Sequence, residues 1–424
     1  AGATAAPKLW ADDDHDDDDH DDDDRDGRDH DDDDDDHSSG SDTNRYQEIA
    51  ATGPTGRVVV VGGGMAGATA AKYLRLWGGA NVSVTLVDPS AVYTSNIMSN
   101  LVLNNAFSMQ QLGFTHAKLA QRYGVVVTNR SVVSVDAVNQ VVNLSDETQL
   151  PYDRLVVAPG VEFMPAYGLS LSDYETKTPH AWRAGPQTEL LRDQIAQMQD
   201  GDTFVMTIPL APYRCPPGPY ERACIVADTL KSSGRSNCKV VVLDENAGIQ
   251  AEKANFQYAF DRIHVRGDGT KIIDYRPGVA GIQIDPDTKQ VTYDNGASII
   301  QAAVVSPIPP HRAAGIGAGL LDENDDAGWF ADVGLNNSAA DAVSPNFGRW
   351  ASVDVLSYES TAVAKVHVVG DAASCGLPKA GHVGNQEAKI CADAIIRLLG
   401  DGQPDASPVA NSACYSPITR PTAS

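Results

Sequence analysis

The sequence predicts an α/β protein made of two Rossmann-like dinucleotide-binding domains, in which a nucleotide lies across the ends of parallel strands. Three observations lead there. An apolar strand, Arg57-Val-Val-Val-Val, runs into Gly62-Gly-Gly-Met-Ala-Gly67 and then into a helical run. A second strand, Val82-Ser-Val-Thr-Leu-Val, ends in Asp88, about 20 residues past the glycines. Two more short apolar strands end in turns far along the chain, at Ala158-Pro159-Gly160 and at Gly370-Asp371.

Each piece has a physical role. Gly62, Gly64 and Gly67 permit the tight turn, the close approach of backbone to a pyrophosphate, and helix–strand contact. Met65 and Ala66 open the helix, whose positive end then faces the phosphates. Asp88, followed by Pro89, stands where a ribose hydroxyl needs a carboxylate. The turn Ala158-Pro159-Gly160 and the pair Gly370-Asp371 resemble the pattern of two-dinucleotide flavoproteins, and that resemblance implies FAD bound by distant segments, with Asp371 at its ribityl chain. Beyond it, Pro378, Lys379 and Gly381 precede a helical run over 390–399. Its start is expected to aim N–H groups at the flavin pyrimidine.

Composition narrows the classes. The chain has 424 residues, 42% of them hydrophobic, and a net charge of −25. The segment 12–37 holds 19 Asp, two Arg and four His, so it carries −17 and leaves −8 for the rest. That balance gives no basic footprint for nucleic acid. No apolar run reaches the ~18 residues of a membrane span. The Asp-rich tail has nothing apolar to bury and is expected to be disordered. Its His15, His20, His30 and His37 fit either a solvated tail or capture of copper or another divalent metal. No Cys-x-x-Cys-His occurs, so no c-type haem is attached covalently. A chain that opens on alanine is expected to be a processed export product, which suggests the periplasm.

The second domain departs from the usual plan. A strand, Asp202-Thr-Phe-Val-Met-Thr-Ile208, should lead to a second glycine-rich turn. Instead comes Pro209-Leu-Ala-Pro-Tyr-Arg-Cys215-Pro-Pro-Gly-Pro219, with five prolines, ahead of a helix starting near Tyr220. Prolines lack N–H donors and fix φ, so this turn cannot wrap a pyrophosphate, and reduction by a nicotinamide is not expected. The turn is expected to pin Cys215 near a helix N-terminus beside Arg214, where a thiolate is stabilised.

The stretch Tyr213-Arg-Cys-Pro-Pro-Gly-Pro-Tyr-Glu-Arg-Ala223 resembles the active-site turn of the flavoprotein subunit of flavocytochrome c sulfide dehydrogenase, a relative of sulfide:quinone oxidoreductase. The resemblance extends through His180-Ala-Trp-Arg-Ala-Gly-Pro-Gln-Thr188, Val369-Gly-Asp-Ala372, Pro378-Lys-Ala-Gly381 and Ala413-Cys-Tyr-Ser416. It implies FAD, a redox disulfide between Cys215 and Cys414, and a proton-handling role for Glu221. The implied reaction has hydrosulfide attack the disulfide, leaving a persulfide and a thiolate. Two electrons pass to FAD and leave singly to a c-type cytochrome subunit or, given the histidine tail, a copper protein. Cys224, Cys238, Cys375 and Cys391 read as structural.

Many such proteins attach FAD through a cysteine after the second strand. Here Ser95-Asn96 occupy that place and no cysteine precedes Cys215, so non-covalent FAD is expected. The polar segment from Phe330 to about Arg349 reads as a surface loop. The expected organisation is a tail over 1–56, an FAD-binding domain from 57–165 with 300–400, a second domain over 166–299 without a working nucleotide site, and a C-terminal segment over 401–424. Two other functions fit: a sulfide:quinone oxidoreductase, although Ser416–Ser424 offers no apolar membrane surface, or a metal-binding electron-transfer flavoprotein with little turnover.

Overall fold

The computed structural model describes residues 53–316, 328–420 and 422–423. The elements that position the site are, in chain order, β1 (Gly56–Val61), α1 (Met65–Gly78), β2 (Val82–Val87), β3 (Arg154–Val157), β4 (Thr203–Ile208) and α2 (Gly218–Ser232). They continue with β5 (Lys239–Asp244), β6 (Ile273–Pro277), β7 (Val304–Pro307), β8 (Val366–Val368) and α3 (Gly381–Leu399).

Runs of valine buried on both faces form parallel strands. β1 pairs in parallel with β2 on one side and with β3 on the other. β8 follows β3, and Val126–Thr128 follows β2. Strand order therefore reverses at β1, and a crevice opens beyond its carboxyl end. Beneath the sheet α1 lies along α3. Their contact is made of small residues: Ala66, Ala70 and Ala71 of α1 share a buried cluster with Ala388, Cys391 and Ala392 of α3. Asn385 Nδ2 donates to Thr69 Oγ1 at 2.9 Å and fixes the register of the two helices.

The second sheet repeats the plan with four parallel strands in the order β6-β5-β4-β7. Its last strand lies beyond residue 299, past the expected limit of the second domain. Here the reversal falls at the end of β4, where the proline-rich turn begins. An antiparallel pair, Val161–Phe163 with His311–Ala313, stands beside the points where the chain passes between the two sheets.

The segment from Phe330 to Arg349 is not a simple surface loop. Phe330, Leu335 and Arg349 are fully buried. The Arg349 guanidinium donates to both Asp341 oxygens, with Nη2 to Oδ2 at 2.6 Å, and to the His311 carbonyl. Its polar composition concealed an internal ion pair that lets the segment pack.

The glycine turn is closed by backbone. A Cβ on Gly67 would lie 1.8 Å from the Gly62 carbonyl oxygen, whereas one on Gly64 would meet nothing nearer than 3.7 Å. Gly67→Ala is therefore expected to cost about 3 kcal/mol or more in urea unfolding of the apoprotein. Gly64→Ala is expected to stay within about 0.5 kcal/mol of wild type.

Candidate active site

A cavity of about 810 Å³ opens at the end of β1. Gly62, Gly64, Met65 and Ala66 form one wall, and Asp88 and Pro89 lie along the next. Asn96 and the turn Ala158-Pro159-Gly160 close one side; Gly370, Asp371 and Gly381 face them. The structure thus brings together most of the residues expected to hold a dinucleotide.

The walls suit an anionic dinucleotide. The Asp88 carboxylate accepts from Gly63 N at 2.6 Å, while the Gly63 carbonyl bonds His116 Nε2 at 2.8 Å, so the turn is held from both sides. Open space lies beside Gly160, and a Cβ on Gly64 would meet only the Tyr93 ring, at 3.7 Å. The N-termini of α1 and α3 both reach the cavity, and neither first turn contains an acid. Two helix dipoles thus converge with positive ends. Arg183 and Arg214 add two cations to the lining. Burial, and then the neighbouring Arg214, push the Arg183 guanidinium down to about 10, which leaves it charged.

Four expected cofactor contacts lie elsewhere. Gly67 packs against Gly62 and Ala158 behind the turn. Ser95 is buried against a separate apolar cavity of about 480 Å³, with Oγ accepting from Ile97 N. Pro378 is exposed. Lys379 turns inward: Nζ donates to the carbonyls of Asp371 and Ala373 at 2.8 Å and sits 3.7 Å from the Trp350 ring centre. Burial pushes its amine down to about 8. The amine clamps the loop carrying Asp371. Glu387 assists, accepting from Gly370 N at 2.6 Å. The four tail histidines fall outside the described residues.

The proline-rich turn places Cys215 next to Arg214, which lines this cavity. Cys215 N donates to the Lys379 carbonyl at 2.7 Å, which joins the turn to the segment leading into α3. Cys215 has φ of 58°, a left-handed conformation that costs a non-glycine residue energy. Trp182 Nε1 donates to the Arg214 carbonyl, and the Arg214 guanidinium donates back to the Trp182 carbonyl. A Cβ on Gly218 would fall 2.9 Å from Cys215 Sγ and 3.0 Å from the Trp182 ring, so sulfur and indole both crowd this position.

Cys215 and Cys414 are both free thiols, and Cys414 lies near enough to raise the Cys215 thiol. Glu221 belongs to the same group. It lies in the first turn of α2, and its Oε1 accepts from Asn100 Nδ2 at 2.8 Å. Burial pushes its carboxyl up to about 7 despite that bond. The thiolate expected at Cys215 is overturned by the same physics. Burial first and Glu221 second push the thiol up to about 12, outweighing Arg214 and the Gly218 N–H.

The second crevice is closed. Asp244, at the end of β5, occupies the place of a ribose-binding acid, but its carboxylate is buried and already engaged. Oδ2 accepts from Tyr220 and Tyr275 hydroxyls, each at 2.8 Å, and Oδ1 from Asn246. Cys224, Cys238 and Cys391 are buried; Cys375 is half-buried and donates to Glu387.

Sequence reasoning missed Asn100 and Arg222. Arg222 left a trace, being a cation beside the run Ala223-Cys-Ile-Val-Ala227 on a helix that is buried nearly all round. Asn100 left none, because its partners are more than a hundred residues away.

Residues 56–196 match the pyridine nucleotide-disulphide oxidoreductase family. This defines the class: an FAD/NAD(P)-linked, two-domain oxidoreductase. Residues 188–309 match the central part of the sulfide dehydrogenase (flavocytochrome c) flavoprotein chain. A flavoprotein chain of that name from Chlorobaculum thiosulfatiphilum is 52% identical over 48 residues, 11% of this chain and 98% of the relative. The chain belongs to the flavoprotein chains of the flavocytochrome c sulfide dehydrogenases, and is a flavin-dependent oxidoreductase. Among solved structures, sulfide:quinone oxidoreductase from Aquifex aeolicus superposes with a TM-score of 0.66 at 18% identity, covering 85% of this chain and 81% of its own. The covalent putidaredoxin reductase–putidaredoxin complex superposes with a TM-score of 0.59 at 19% identity, covering 86% and 79%. Both likenesses concern the fold. Among the described residues no helix is long and apolar enough to cross a membrane, and no cluster of ligands could hold a metal.

Alkylation should separate the two thiols. With its thiol near 12, Cys215 carries roughly one part in 10⁴ thiolate at pH 8. Iodoacetamide followed by peptide mapping is expected to label the exposed Cys414 first and leave Cys215 intact at that pH. Glu221 gives a second expectation. Its raised carboxyl favours the folded state below the ordinary carboxylate range, and that advantage disappears as pH rises through about 7. Denaturant titrations should show wild type losing stability relative to Glu221→Gln between about pH 4.5 and 7.

Proposed function

We propose that this protein oxidises sulfide to sulfur or polysulfide through a Cys215–Cys414 disulfide beside non-covalently held FAD. The observation that carries the reading is the approach of Cys414 and Glu221 to Cys215, whose turn is bonded to the segment that leads into α3. Bound FAD supplies the two-electron acceptor.

The protein's own groups prepare the rest. Arg183 and Arg214 give the cavity a positive bias that draws in hydrosulfide, an anion. Cys414 is exposed and Cys215 half-buried, so access favours attack at the Cys414 sulfur. The new S–S bond leaves a persulfide on Cys414, and the broken bond releases its electron pair on Cys215. Burial disfavours a thiolate there, and the neighbouring Glu221 carboxyl, titrating near 7, supplies a proton and later retrieves it. A second hydrosulfide would take the outer sulfur of the Cys414 persulfide as a polysulfide, leaving both cysteines reduced; re-forming the Cys215–Cys414 bond would then pass two electrons to FAD held by the walls around Gly62–Ala66, Asp88 and Asp371.

Support for sulfide rather than a nicotinamide as the reductant comes from the second crevice, where prolines replace glycines and Asp244 is engaged by two phenols. Electrons leave to a separate one-electron carrier, a c-type cytochrome subunit or a copper protein, in the periplasm. The Asp/His tail is proposed to bind a divalent metal.

In an anaerobic sulfide titration, the wild-type flavin spectrum is expected to bleach or to develop a charge-transfer band. Cys215→Ser and Cys414→Ser should each slow this by at least ~10³-fold. Reduction of either variant at the wild-type rate sinks the disulfide reading. Glu221→Gln should flatten the pH dependence of the rate around pH 7.

A further inference from the structure

We infer that Asn100 is the positioning residue for the Glu221 carboxylate: Arg222 locks its amide so that it always offers an N–H to that group. The inference rests on the proton-handling role proposed for Glu221 and extends it to a residue from a distant part of the chain.

The argument starts from what a guanidinium can do. Arg222 has donors and no acceptor. Its Nε donates to Asn100 Oδ1 at 3.0 Å, so the amide oxygen must face Arg222 and the amide nitrogen must face away. On that far side Nδ2 donates to the Gly218 carbonyl at 3.1 Å and to Glu221 Oε1 at 2.8 Å. A flipped amide would set two donors against each other at Arg222 and two acceptors against each other at Glu221. Only one orientation satisfies all the partners.

Arg222 cannot yield, because it is itself held. Its Nη1 donates to the His180 carbonyl at 2.6 Å and to Ser306 Oγ at 3.1 Å, and its Nη2 to the Ala181 carbonyl at 2.7 Å. The guanidinium lies 4.7 Å from the Trp182 ring centre and is 1% exposed. Asn100, on the short turn Ser99–Val102, is 7% exposed. The relay Arg222–Asn100–Glu221 is thus a rigid, dry hydrogen-bond chain.

The other groups facing Glu221 show what the amide counters. Cys215 lies on the turn before it, Cys224 on its own helix, Cys414 on the C-terminal segment, and Glu252 before the helix Lys253–Tyr258. Each of these, when ionised, repels a carboxylate, and burial does the same. Asn100 and the Arg222 charge act in the opposite sense. Without the amide the carboxyl would remain protonated through neutral pH and could donate a proton but not retrieve one.

The test reads the carboxyl directly. Asn100→Asp keeps an acceptor for Arg222 while replacing the donor to Glu221 with a second carboxylate; Asn100→Ala removes both. Infrared difference spectra of the full-length, FAD-bound protein across pH follow the protonated carboxyl, its band assigned by disappearance in Glu221→Gln. Both variants are expected to raise the midpoint by roughly one pH unit or more, about a tenfold change in the protonated-to-ionised ratio at fixed pH. An unchanged or lowered midpoint in Asn100→Asp overturns the inference, whether or not Asn100→Ala folds. Sulfide kinetics give a separate result. If Glu221→Gln leaves them untouched at every pH, the role of Glu221 falls, while the infrared midpoints still decide that of Asn100.

Discussion

One backbone hydrogen bond, from Cys215 N to the carbonyl of Lys379, holds the site together. On one side is the turn that ends the first strand of the second sheet. On the other is the loop whose clamp, Lys379 Nζ on the carbonyls of Asp371 and Ala373, shapes the cavity wall. The two domains meet there through main chain, which no side-chain substitution removes. The left-handed φ of Cys215 is the cost of presenting that N–H, and the prolines around it reduce the freedom that would otherwise dissipate the arrangement.

The same neighbourhood shows two opposing electrostatic demands. Nucleotide binding calls for positive potential, provided by two helix N-termini, Arg183 and Arg214. Sulfur chemistry beside it calls for a group that exchanges protons near neutral pH, and burial supplies one by raising the Glu221 carboxyl to about 7 while it holds Cys215 as a thiol. The cations line the open cavity and Cys215 and Glu221 do not, so each set works in the dielectric that suits it.

What could be read from the sequence was local. The run Val58 to Gly67 and the strand ending in Asp88 are short-range patterns whose meaning does not depend on the remainder of the fold. The proline-rich turn could be read as incompatible with a pyrophosphate for the same reason. The pairing of Cys215 with Cys414 came from resemblance alone. Lys379 was misjudged because a lysine beside a presumed flavin suggests a ligand contact. Only the fold supplies the ring of Trp350 and the two carbonyls that turn the amine inward. The thiolate expected at Cys215 failed because sequence shows the neighbouring charge and conceals the burial. Asn100 and Arg222 could not be connected at all, since they meet across more than a hundred residues.

Asp244 carries a consequence for redesign of the enzyme. Its two phenol partners come from different elements, Tyr220 on α2 and Tyr275 on β6. Grafting a glycine-rich loop over residues 209–217 would free the main chain for a pyrophosphate. The adenosine ribose would still face a carboxylate sealed beneath two aromatic rings and an amide. A pyridine coenzyme could therefore be accommodated only by several coordinated replacements, which ratchets this scaffold toward an inorganic electron donor.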